Sequence, residues 1–209
     1  MTEDEFPLPE KTDKLFVASE DNYRDNAMLN FSNHPLFSYS EGYKLGAKKL
    51  LEAHDGEAYH ANMLVYPIVF LYRQFIELRL KELILGLNHS LGNPDDFPDG
   101  HNLKELWKQY RTLIEKFGPT ERPEKEMLDN AEKLIFEFSD TDPDSFAFRY
   151  PVHKKNRNRK PTVSINILDL TNFGIVMKKI ENFLDTQSDV VFYLMDMTDE
   201  MKSAYEGYY

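Results

Sequence analysis

Residues 58–87, AYHANMLVYPIVFLYRQFIELRLKELILGL, decide the fold. Two adjacent stripes run through them at helical spacing: Leu64, Ile68, Leu71, Phe75 and Leu78 on one, and Val69, Tyr72, Ile76, Leu80, Leu83 and Leu87 on the other. Together they make an apolar face wider than a surface helix needs, which predicts a central helix packed on more than one side. Pro67 either opens the main segment of that helix or kinks it. Arg73, Glu77 and Lys81 follow at i+4 steps with alternating sign, a polar ridge that reads either as a solvated row of ion pairs or as the wall of a site. The longest fully apolar run, Met63 to Tyr72, ends at Arg73 and is shorter than the roughly 18 residues a membrane span needs.

On the N-terminal side, Ser40 is a candidate N-cap for a helix carrying Tyr43, Ala47, Leu50 and Leu51, with Asp55-Gly56 as its stop. On the C-terminal side, the turn-rich stretch NHSLGNPDDFPDG (88–100) separates the central helix from the next. Asn102, with Glu105 three positions on, has capping-box spacing ahead of Leu103, Leu106, Trp107, Tyr110, Leu113 and Ile114, and Gly118-Pro119 ends that run. Glu124 to Phe138 predicts a further helix with Met127, Leu128, Ala131, Leu134, Ile135 and Phe138 inward. The period then switches to two. Phe146, Phe148 and Tyr150 alternate with polar or small residues, as do Val163, Ile165 and Ile167, which predicts a β-hairpin over 145–167 joined by PVHKKNRNRKP. Asp169 caps a helix through Leu170, Phe173, Met177, Ile180 and Leu184, and a last helix starts near Ser188. The expected fold class is all-α, a helical bundle of five to six helices with one short β-hairpin insertion. Residues 1–39, with prolines at 7, 9 and 35 and no sustained periodicity, read as an acidic extended N-terminal arm, and residues 40–209 as the bundle domain.

The 209 residues carry 25 Lys and Arg against 36 Asp and Glu, a net charge of −11, and 41% are hydrophobic, too many for a disordered acidic chain. The absence of cysteine excludes disulfides, thiolate chemistry and iron–sulfur or zinc-thiolate sites. The charge is unevenly spread. Arg149, Lys154, Lys155, Arg157, Arg159 and Lys160 place six positive charges in one acid-free segment and leave −17 on the rest. Such a segment suits a phosphate or an acidic partner, the chain's own acidic ends included, more than long non-specific contact with duplex DNA. The start, MTEDEFPLPE, is acidic where an export or mitochondrial signal would be basic, so a cytoplasmic location without membrane association is expected.

Gln74-Phe-Ile-Glu77-Leu-Arg-Leu-Lys81 on the central helix, followed after a loop by Gly100-His101-Asn102-Leu103-Lys-Glu-Leu106, resembles the signature of HEPN domains, over roughly residues 58–185. Phe148-Arg149-Tyr150-Pro151 with lysines behind it also resembles the "RYP" segment of bacterial members of that group. The resemblance implies a small, usually dimeric helical bundle of bacterial toxin–antitoxin and antiviral defence systems, whose active members are metal-independent ribonucleases. Those use an arginine and a histidine with four to six residues between them, a pairing that suits phosphate binding and proton transfer. Here the nearest pair is Arg149 and His153, with three residues between them, Pro151 among these, and Tyr150 where a polar residue is expected. On extended chain that spacing spans about 12 Å, so the catalytic motif reads as degenerate.

Three functional readings follow. The first is a HEPN-like binding module for RNA, a nucleotide or a partner protein, acting as a homodimer, with Arg149, Lys154, Lys155, Arg157, Arg159 and Lys160 facing phosphate. The second is a ribonuclease using Arg149 and His153 as catalytic residues. The third is a structural or antitoxin-like acidic protein that binds through its termini. No cofactor is expected, and no metal, because the six histidines form no His-x-x-x-His or Glu-x-x-His pair on a helix. His101 reads as a structural residue at the entrance of a helix.

Overall fold

The structure, a computed structural model, describes residues 8–54, 56–94, 96–152 and 161–206. Five helices make the bundle: α1 (Pro35–Glu52), α2 (Ala58–Ser90), α3 (Leu103–Ile114), α4 (Lys125–Thr141) and α5 (Leu170–Glu206). The wide apolar face read in the sequence explains their arrangement. α2 packs on α1, α3 and α5, α4 lies against α3, and Ile68, Phe75, Ile76, Leu80, Leu83 and Leu87 are fully buried at the centre. Pro67 lies inside α2 at an exposed position. Its missing N–H frees the carbonyl of the half-exposed Met63, where solvent can satisfy it, so the helix continues. Polar ends of large core residues find partners. The Trp107 indole donates to Glu132 at 2.7 Å and the Tyr110 hydroxyl to Gln187 at 2.8 Å.

Two helix boundaries differ from the sequence expectation. α1 starts at Pro35, five residues before the expected cap at Ser40, because proline's fixed φ suits the first helical position and Phe37 packs edge-on against Phe192 of α5 at 5.9 Å. Ser40 is a buried helical residue whose hydroxyl donates to the Phe37 carbonyl at 2.9 Å. The two expected C-terminal helices are one continuous helix. Gln187 and Ser188 look polar enough for a break, but both are buried, and Ser188 donates to Glu82 of α2 at 2.7 Å. α2 and α5 approach closely at Gly86, where an added Cβ would lie 2.2 Å from a Val191 methyl.

The structure does not show the expected hairpin. Residues 145–150 turn instead of extending: the amides of Arg149 and Tyr150 both donate to the Phe146 carbonyl at 3.2 Å. The Asp142 carboxylate takes the amides of Phe146 and Ala147 at 2.8 and 2.9 Å, donors that a strand ladder would need. Among the described residues the β pairing is a single antiparallel bridge, Val152 with Pro161. Residues 8–33 belong to a separate unit that holds one 3₁₀ turn, Tyr23–Asp25, and local hydrogen bonds such as that from the Ser19 amide to the Asn26 side chain at 2.7 Å. Among the described residues no helix is long and apolar enough to cross a membrane.

Candidate functional site

Phe70, Gln74, Glu77 and Lys81 fall in one line along α2, with Arg73 beside them, a strip about 16 Å long at the helical rise. The ridge is not a solvated row of ion pairs. Arg73, Glu77 and Lys81 are 0%, 2% and 4% exposed, because loops from two other parts of the chain lie over them. Arg73 donates from Nη1 to Glu77 at 3.1 Å, from Nε to the Asp142 carbonyl at 3.3 Å and from Nη2 to the His101 carbonyl. Glu77 also meets Lys81 Nζ at 3.3 Å and His101 Nδ1 at 2.7 Å. Gln74 donates to the Ser145 hydroxyl at 2.7 Å, and the Lys81 ammonium sits 5.1 Å from the ring centre of Phe97. Burial pulls the Arg73 guanidinium below its ordinary pKa, against the charges of Glu77 and Asp142, which favour the cation. The strip therefore ties the 96–102 and 142–150 loops to the central helix, and the pieces Glu77, Lys81 and His101, separated in sequence, come together there.

Arg149 lies one helical step above the ridge. Its guanidinium carbon is 5.9 Å from the ring centre of Phe70 and 5.3 Å from that of Tyr150. It helps to line an open cavity of about 420 Å³ with Tyr66, Phe148, Tyr150, Pro151 and Thr162. Tyr66 and Tyr150 are each about half exposed. The Thr162 hydroxyl donates to the Ala147 carbonyl, also in the cavity wall, at 2.8 Å. Two more cavities, each about 390 Å³, share Phe148 as a wall: one against Val65 and Ile165, the other between α4 and α5 against Phe138 and Met177. His153, Lys154, Lys155, Arg157, Arg159 and Lys160 lie outside the described residues.

A second buried charge cluster was not legible as one. Arg79, 0% exposed in the middle of α2, reaches Glu82 at 2.9 Å, Asp185 of α5 at 3.3 Å and Glu41 of α1. Lys44 joins it, 2.9 Å from Asp185, and the Arg79 guanidinium stacks 4.8 Å from the centre of the Phe37 ring. The sequence signal was a charge set among the apolar positions Leu78, Leu80 and Leu83, but its acidic partners are spread over three helices. Close by, Glu181 is fully buried and pairs with Lys48 at 2.9 Å. Burial alone would lower the Lys48 pKa. The hydrogen bond and charge of Glu181, with Asp185 and Glu41, more than offset it and leave the group raised. Burial first, and then Glu181, pushes the Tyr72 hydroxyl well above its ordinary value.

Among the described residues no three of His, Asp or Glu converge as a metal-ligating group. Comparison with protein-family models, with curated proteins and with solved structures returned no match. The functional reading therefore rests on the geometry of this chain and on the motif resemblance.

Proposed function

We propose that this chain is a HEPN-like binding module that engages single-stranded RNA at the Arg149 cavity, with its catalytic motif degenerate. The observation that carries the reading is the exposed Arg149 guanidinium stacked on Tyr150 at the wall of a cavity that Tyr66 also lines. A guanidinium beside half-exposed aromatic rings offers a phosphate contact and a face on which a base can stack. In sequence, five further positive charges follow directly, from Lys154 to Lys160. The resemblance supplies the setting, a homodimer in a bacterial defence or toxin–antitoxin system, and the acidic start of the chain suits a cytoplasmic location.

Fluorescence anisotropy of a labelled single-stranded RNA tests this. Affinity falls as salt rises, and Arg149→Ala weakens binding by about 1–3 kcal/mol if it supports a stacked base. The combined Lys154→Ala, Lys155→Ala, Arg157→Ala and Arg159→Ala variant flattens the salt slope by about 0.7 for each phosphate it no longer neutralises. Binding that ignores salt, or that survives both variants unchanged, rules the RNA reading out.

A further inference from the structure

We propose that His101 is a phosphoryl-accepting site, with Nε2 as the nucleophile and Glu77 as the group that orients the ring. An exposed histidine side chain is ordinarily a loose rotor, but this ring is held by a carboxylate and its backbone by an arginine. Nδ1 lies 2.7 Å from Oε1 of Glu77, and the His101 carbonyl accepts from Arg73. The ring side is 71% exposed while the Glu77 side chain is 3% exposed, so a buried anchor presents an accessible ring. Glu77 pairs as a carboxylate with Arg73 and Lys81 and can only accept hydrogen bonds. The neutral imidazole must therefore carry its proton on Nδ1, which leaves the lone pair on Nε2. Nothing in the RNA reading uses this group.

The surroundings favour the product as well as the attack. His101 directly precedes Asn102, the N-cap of α3, whose side chain accepts from the amides of Lys104 and Glu105. The positive end of the α3 dipole thus lies beside the residue that would gain negative charge. In the transfer, the Nε2 lone pair forms an N–P bond while the donor's bond to phosphorus breaks, its electron pair leaving with the departing group. No proton need leave Nε2, because none is there. The Nδ1 proton stays in the bond to Glu77, whose charge offsets the positive charge gained by the ring. The donor class is an activated phosphoryl compound, with either a P–N bond or an acyl phosphate.

The full-length chain is incubated in parallel with phosphoramidate and with acetyl phosphate, and acid-labile, alkali-stable adducts are mapped by mass spectrometry. The expected result is one phosphoryl group on Nε2 of His101, formed about tenfold faster than at any other histidine, and slowed about tenfold by Glu77→Gln at unchanged helix content. The donor arm that reacts identifies the class of leaving group. Labelling spread evenly over the six histidines, attachment at Nδ1 of His101, or no adduct with either donor overturns the proposal. A Glu77→Gln chain that folds and labels at the wild-type rate overturns it too. Should that variant not fold, the ratio among histidines in the wild-type chain decides alone.

Discussion

Arg79 and Arg73 are both fully buried on α2, less than two turns apart, yet their partners differ in kind. Arg79 is held by carboxylates of α1, α2 and α5, so it joins three helices through side chains. Arg73 shares one carboxylate with its own helix and otherwise donates to backbone carbonyls at Asp142 and His101, so it joins a helix to two loops. The same residue type, equally buried, thus serves two purposes. One site fixes the relative placement of the helices, and the other fixes the surface loops that carry His101 and lead to Arg149.

The largest effect should come from breaking the helix junction. Arg79→Met leaves Glu41, Glu82 and Asp185 with only lysine partners, Lys44 in contact and Lys48 nearby, and removing one partner of a buried ion pair costs about 3–5 kcal/mol. The lower end applies, because the Glu41 and Asp185 side chains are 35% and 38% exposed and solvent screens them. Urea unfolding of the whole domain reads this as a lower midpoint with an unchanged slope. Neutralising Glu41, Glu82 and Asp185 to their amides in the Arg79→Met background should return part of the loss. A loss that stays the same after neutralisation would mean that Arg79 acts through its packing on Phe37 and not through charge.

A smaller global effect and a larger local one are expected at Arg73. Arg73→Met removes the donors to the Asp142 and His101 carbonyls, so residues 96–102 and 142–150 should lose hydrogen-exchange protection before the helices do. Destabilisation of the whole chain should fall to about 2–3 kcal/mol, since Lys81 and His101 still face Glu77. Uniform loss of protection across all five helices would erase the distinction between the two arginines.

These differences also show where sequence reading succeeds. The bundle is legible because the spacing of Ile68, Phe75, Ile76, Leu80 and Leu83 records the burial of α2 directly. The ridge is ambiguous for a physical reason: alternating charges at i+4 record pairing within one helix and carry no information about what covers it. The cover comes from His101, 24 positions along the chain from Glu77, and from Asp142, 69 positions from Arg73. Asp185, Gln187 and Ser188 imitate a helix break because a polar residue turned toward a buried arginine looks the same as one turned toward water. Phe146, Phe148 and Tyr150 alternate as a strand would, but Asp142 upstream captures the amides that a strand would spend on its neighbour. At the cavity, the charge of Arg149 could be read from the sequence, whereas its stacking on Phe70 depends on folding across the bundle.

The smallest effects lie in the pH dependence, where two carboxylates should act with opposite sign. Burial raises the Glu82 pKa above the ordinary carboxylate value, against the charge of Arg79 and the Ser188 hydrogen bond. The folded chain therefore binds that proton more readily than the unfolded chain. The stability this contributes is full below the ordinary value and is lost as pH rises through the raised one. Asp129 is the reverse case: the hydrogen bond from Lys125, then that from Arg111, lowers its pKa at the α3–α4 edge. Its contribution is present above the ordinary value and is lost as pH falls through the depressed one. Urea unfolding between about pH 6 and pH 3, across the carboxylate range, should separate them. As pH falls, wild type should gain on Glu82→Gln and lose its advantage over Asp129→Asn. Both differences moving in the same direction would show that the helix junction at Arg79 holds its carboxylates as an open surface pair does, and the contrast between buried and exposed ion pairs in this bundle would fail there.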